Sequence, residues 1–154
     1  MSNDPIIEQK EEQQVLSIRT RTAVQDLPKV LGQSYDLIVQ YLCELGEAPA
    51  GPPFVGYFNM DMQDLDVEIG FPVTRPLPGK AEIQPSQLPA GNHATCLHSG
   101  SYKALEQTYN ALQKFIAEGG HKPSGVAYEF YLNDPNETPE DQLQTQIVFP
   151  LEET

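Results

Sequence analysis

Gly125-Val126-Ala127-Tyr128-Glu129-Phe130-Tyr131-Leu132-Asn133-Asp134-Pro135 is the stretch on which the reading of this chain turns. Tyr and Phe favour extended backbone and Asn-Asp-Pro stops it, so the stretch reads as a strand. Strand side chains alternate between faces. Tyr128, Phe130 and Leu132 share one face; Ala127, Glu129 and Tyr131 share the other. With the first face expected on the core, the second places one carboxylate beside an aromatic ring. A carboxylate in an apolar wall is costly unless something pairs with it, which makes Glu129 the first candidate for function.

The flanking segments supply the frame. Upstream, Tyr102, Leu105, Tyr109, Leu112 and Ile116 are spaced 3, 4, 3 and 4, the stripe of an amphipathic helix that Ser101 caps and Gly119-Gly120 ends. His93 to Ser99 reads as the strand before it. Downstream, residues 135–141 read as a turn-rich loop and Leu143 to Leu151 as a closing strand. Residues 74–92, with Pro76, Pro78, Pro85 and Pro89, read as a linker. Before it, Val15 to Arg21 is a strand. A helix begun by Asp26 and Pro28 carries Leu31, Tyr35, Ile38, Leu42 and Leu45 and stops at Gly46. Phe54 to Phe58 and Asp66 to Val73 are two further strands. Residues 1–12 read as a flexible leader.

Both halves therefore run strand, helix, strand, strand. An offset of 74 pairs Leu31 with Leu105, Tyr35 with Tyr109, Leu42 with Ile116, Gly46 with Gly120, Tyr57 with Tyr131 and Asn59 with Asn133. An offset of 78 pairs Ile69-Gly70-Phe71-Pro72 with Ile147-Val148-Phe149-Pro150. The expected fold is α+β: duplicated strand-helix-strand-strand modules (residues 13–73 and 93–151) related by a pseudo-two-fold, two helices packed on antiparallel sheet, and a central ligand cleft. One module could hardly bury enough apolar area alone, so 13–151 is read as a single domain. Tyr57, Glu129 and Tyr131, with Glu68 and Ala127, are the expected lining of the cleft.

Charge narrows the function. Nine Lys and Arg against 22 Asp and Glu leave a net charge of −13, a surface that repels a nucleic-acid backbone. Direct nucleic-acid binding is therefore set aside. Cys43 and Cys96 have no CxxC spacing and read as two free, buried thiols. His93, His98 and His121 form no metal-ligand pattern, and His93 and His98 fall on opposite faces of a strand. No metal and no cofactor are expected. No apolar run is of membrane-spanning length and no signal-like h-region opens the chain, so a cytoplasmic location without membrane association is expected.

From Gly100-Ser101-Tyr102 through Tyr128-Glu129-Phe130-Tyr131-Leu132-Asn133-Asp134-Pro135 to Thr145-Gln146-Ile147-Val148-Phe149-Pro150-Leu151, the chain resembles the GyrI-like small-molecule-binding domain. That family includes the effector-binding part of multidrug-sensing transcription activators. Asp66-Val67-Glu68-Ile69-Gly70-Phe71-Pro72-Val73 is similar to the strand that ends its first half, and the resemblance covers roughly residues 13–151. It implies a cleft that takes bulky, flat, cationic or aromatic compounds, with Glu129 and Tyr131 on the family's Glu-x-Tyr strand. Tyr128 stands where the family often has Trp, and Gln146 where it often has Glu. No DNA-binding segment precedes the domain, so the expectation is an effector domain standing alone.

Three functions follow. The first is binding of bulky hydrophobic, often cationic aromatic compounds for sequestration, resistance or sensing, with Glu129 attracting the charge and ring faces adding about 0.5–2 kcal/mol each. The second is a hydrolase that opens reactive rings of cytotoxic natural products, with Glu129 as the catalytic base. The third is an acidic inhibitor of a partner protein. Binding is the preferred reading, because no Ser-His or Cys-His pair stands at a recognisable spacing.

Overall fold

Extended backbone claims more of the chain than its apolar pattern announces. The computed structural model describes residues 4–134 and 137–152. Among these the strands are β1 (Ile6–Lys10), β2 (Gln13–Thr22), β3 (Phe54–Tyr57), β4 (Leu65–Pro72), β5 (Ile83–Leu88), β6 (Gly91–Ser99), β7 (Ala127–Tyr131) and β8 (Gln144–Pro150). The helices are α1 (Leu27–Glu44) and α2 (Leu105–Glu118), each entered through a short 3-10 turn, Val24–Asp26 and Tyr102–Ala104. Pro135 and Asn136, which end the opening stretch and begin the expected loop, lie outside the described residues, as do residues 1–3.

The chain divides into two units: residues 12–89, and the residues up to 11 together with those from 90 onward. In the first, antiparallel strands run in the order β3-β4-β2-β5. α1 lies on one face. Leu16, Ile18, Phe71 and Ile83 of the sheet meet Ile38, Tyr41 and Leu42 of the helix in one apolar cluster. Leu16, Ile38 and Leu42 are fully buried, and each contributes about 1.5–3 kcal/mol of hydrophobic stabilisation. The second unit runs β1-β6-β8-β7, also antiparallel, beneath α2. Ala94, Cys96, Ile147 and Phe149 meet Leu112 and Ile116 in its core.

The duplication holds at the level of register. Tyr57 pairs with Val67 and Tyr131 with Thr145, and the two pairs differ by the offsets of 74 and 78. Ring contacts repeat as well: Tyr35 meets Phe71 at 5.3 Å, and Tyr109 meets Phe149 at 5.7 Å.

Four expectations are corrected. The leader holds β1, whose backbone pairs with β6 although Glu8, Gln9 and Lys10 give it no apolar alternation. The linker holds β5, which pairs with β2. Its Pro85 is tolerated because β5 ends the strand order, where a missing N–H breaks no inner ladder; buried Ile83 and Leu88 anchor its ends. Asp26 stands at the start of α1 without a capping side-chain bond, because the 3-10 turn already supplies the entry. Ser101 does cap, accepting from the Lys103 N–H at 3.1 Å. Cys43, expected buried, is exposed on α1, while Cys96 is buried. β7 is covered on both faces: Tyr128 is 5 % exposed on one, and Ala127 packs on the apolar cluster beneath α2, so Ala127, Glu129 and Tyr131 form the helix-side face.

Candidate functional site

The helix-side face of β7 puts Glu129 under α2. β7 and β8 pair Glu129 with Ile147, and β8 and β6 pair Ile147 with Cys96. The next row on the same face is Tyr131, Thr145 and His98. α2 crosses above, bringing Thr108 and Tyr109. Glu129 is 7 % exposed, and both carboxylate oxygens are taken by phenols. Tyr131 donates to Oε1 at 2.8 Å and Tyr109 donates to Oε2. No Lys or Arg pairs with this carboxylate among the described residues. Burial pushes the carboxyl above its ordinary 4.5; the Tyr109 and Tyr131 hydroxyls, then the nearby His98 ring, pull it partly back.

Tyr131 also meets the Tyr102 ring, with centroids 5.8 Å apart and planes tilted by 60°. Tyr102 stands in the 3-10 turn before α2 and is 37 % exposed, giving the site an edge open to solvent. Burial raises its phenol above the ordinary 10.0, and the charges of Glu129 and Asp134 add to that.

His98, 2 % exposed, is held at both ring nitrogens. Nε2 lies 2.9 Å from the Ser101 carbonyl and Nδ1 lies 2.7 Å from the Thr108 hydroxyl. A carbonyl only accepts, so Nε2 donates to Ser101, and Nδ1 forms the second bond with the Thr108 hydroxyl. Between His98 and Tyr131, the Thr145 hydroxyl is fully buried and has no hydrogen-bond partner within the described residues.

The other expected lining residues are placed differently. Tyr57 is half-buried on the helix side of β3 in the first unit. Ala127 packs into the core. Glu68 lies on the face of its sheet turned away from α1, buried, and accepts from Ser17 Oγ at 2.7 Å. Gly70 beside it lets β2 approach: a Cβ there would stand 2.3 Å from the Leu16 carbonyl oxygen. A hollow of about 130 Å³ lies elsewhere, between α1 and the Lys80–Ile83 turn, floored by Tyr41. Lys80 and Glu44 close it with a 2.9 Å ion pair, and it holds none of the expected residues.

The stripe spacing reads Tyr109 as core, His98 reads as a strand residue outside any metal pattern, and nothing in the spacing marks Thr108 or Thr145. The one readable signal was the hydroxyl on a stripe position, shared by Tyr35 and Tyr109. Among the described residues no cluster of His, Cys, Asp or Glu could hold a metal ion, and no helix is long and apolar enough to cross a membrane.

Residues 3–152 match the model of the GyrI-like small molecule binding domain, and the chain belongs to that family. Its fold is shared with the C-terminal domain of EcmrR: 18% identity, TM-score 0.80, with 98% of each chain covered. In the complex of EcmrR with DNA the match has 20% identity and a TM-score of 0.84, and the chain spans 58% of the EcmrR length. A hydrolase from Listeria innocua matches at 13% identity and TM-score 0.70, over 97% of this chain and 92% of that one. SAV2435 bound to tetraphenylphosphonium matches at 12% identity and TM-score 0.69, over 97% and 94%. No curated protein matches the sequence.

Proposed function

We propose that this domain binds bulky hydrophobic, often cationic aromatic compounds, and that Glu129 is the group that selects the charge. One observation carries the reading: a buried carboxylate whose partners, among the described residues, are two phenols and no Lys or Arg. Phenols stabilise the anion without neutralising it, so an arriving lipophilic cation completes the pair. Ring faces of Tyr131 and Tyr102 then add cation–π contacts of roughly 0.5–2 kcal/mol each. Such contacts and apolar burial demand little shape, so one site can accept several ligands. Tyr57 and Glu68 are proposed as additional ligand contacts. SAV2435 is described bound to tetraphenylphosphonium, which makes that cation the natural probe.

Proton linkage follows from the raised carboxyl. A permanent cation prefers the carboxylate form, so its affinity falls as pH drops through the raised carboxyl pKa toward 4.5. A neutral isostere shows no such fall. Titration with tetraphenylphosphonium and a rhodamine dye, on the wild type and on Glu129→Gln, tests this. Selective loss of the cation supports the proposal; equal loss of cation and neutral isostere overturns it.

The same geometry supports a second reading. A carboxyl held up in pKa and bridged by two phenols suits a general base acting on water, and the Listeria innocua neighbour is described as a hydrolase. Following the ligand chemically during the titration separates the two: an unchanged ligand means binding, and consumption that Glu129→Gln abolishes means catalysis.

A further inference from the structure

Glu129 and Tyr131 come from one strand, but their aromatic neighbours come from the entry to α2. Tyr102 sits in the 3-10 turn and Tyr109 about two helical turns further on. Neither is fixed by β7 itself. Gly100 N–H donates to the Leu143 carbonyl at 2.7 Å and Ser101 Oγ to Glu140 at 2.6 Å, and from the sheet itself His98 reaches both ends of the entry, bonding the Ser101 carbonyl with one ring nitrogen and the Thr108 hydroxyl with the other. Ser101 directly precedes Tyr102, and Thr108 directly precedes Tyr109. Each end of the imidazole thus holds the residue before one of the two site tyrosines. The ring is buried, so water does not compete for either bond.

We propose that His98 is a positioning residue of the Glu129 site, clamping the entry of α2 so that Tyr102 stands against Tyr131 and Tyr109 reaches Glu129. This rests on the reading of Glu129 as a ligand site, but the clamp itself can be read without a ligand. The first unit sharpens the contrast: its registers place Thr20 where His98 stands, and Ser34 where Thr108 stands. Its helix therefore starts without an imidazole spanning sheet and helix.

His98→Gln is the informative variant, because an amide presents one donor for the Ser101 carbonyl and one acceptor for the Thr108 hydroxyl. His98→Leu removes both. Thr108→Val breaks one half only and guards against a leucine variant that fails to fold. Ring-to-ring NOEs between Tyr102 and Tyr131 are expected in the wild type and in His98→Gln, and to be lost or weakened in His98→Leu and in Thr108→Val. With tetraphenylphosphonium, His98→Leu should bind about tenfold or more weakly, and His98→Gln should recover most of the loss. His98→Leu combined with Tyr102→Ala should bind no worse than Tyr102→Ala alone, since the histidine acts through that ring. Unchanged NOEs in both His98→Leu and Thr108→Val, a glutamine variant as impaired as the leucine one, or additive losses in the double variant would each overturn the proposal. If wild type binds no cation while the NOEs respond as expected, the ligand reading fails and the clamp stands.

Discussion

The two units use one scaffold for different ends. At the position of Glu129 the first unit has Val55, and at the position of Tyr109 it has Tyr35. Val55 is fully buried and faces Ile69 across the strand pair, as Glu129 faces Ile147. Tyr35, with no carboxylate to serve, donates to the Phe54 carbonyl at 3.0 Å. The row beside it runs Tyr57, Val67, Thr20 where the second unit has Tyr131, Thr145, His98. Duplication supplied the frame twice. The second unit carries polar residues where the first has Val55 and Val67, and its tyrosines are turned to meet the buried charge.

The largest effect is expected from forcing the first unit to imitate the second. Val55→Glu buries a carboxyl where the helix tyrosine is already committed to a backbone carbonyl. Without partners the charge costs about 3–5 kcal/mol, and chemical denaturation at pH 7 should show a loss of that order, shrinking as acid neutralises the group. A loss under 1 kcal/mol would mean that the first unit tolerates the charge as well as the second.

Removing the carboxylate from the second unit acts mainly on binding. Glu129→Gln should weaken a lipophilic cation by about 2 kcal/mol, roughly thirtyfold, and leave a neutral isostere within a factor of about three. Its effect on stability depends on pH. A carboxyl raised above its unfolded 4.5 contributes stability that is full below 4.5 and lost as pH rises through the folded value. Wild type should therefore gain stability as pH is lowered through that window, and the glutamine variant should not. Asp64 and Asp66, lowered by Arg21 and Arg19 respectively, act the other way and only as pH falls below 3.8.

The paired tyrosines give a smaller and more diagnostic difference. Tyr109→Phe removes a donor from a buried charge, at about 1.5–3 kcal/mol, and should raise the Glu129 carboxyl further. Tyr35→Phe removes a neutral bond, at about 0.5–1.5 kcal/mol. Urea denaturation of both at pH 7 checks the order, and equal losses would mean that Glu129 is already protonated there.

Periodicity made both helices, six strands and the duplication legible, and the cost of a carboxylate among rings singled out Glu129. What stayed hidden depends on pairing between distant segments. β1 has no apolar alternation because its backbone, not its side chains, joins it to β6. β5 carries a proline that only an edge position excuses. Which face of β7 meets a helix is decided by where α2 lies, and alternation alone leaves that open. Tyr109 sits on a perfect core stripe, and nothing in a stripe says that its hydroxyl meets a carboxylate twenty residues on. His98 reads as one more strand residue until β6 is set beneath the entry of α2.

Thr145 offers the finest comparison. Its methyl and hydroxyl occupy the place of Val67 in the first unit, and the hydroxyl, fully buried, finds no partner within the described residues. Such an oxygen costs roughly 1–3 kcal/mol of desolvation that nothing within the described residues repays. Thr145→Val keeps the shape and removes that cost, so thermal unfolding should show a variant equal to wild type or about 1 kcal/mol more stable. If binding of a cation is unaffected as well, the hydroxyl is a remnant of neither stability nor recognition. A variant less stable by 1 kcal/mol or more would instead mean that water or a ligand group satisfies Thr145 in solution, and would extend the polar row from Tyr131 to His98 into the working site.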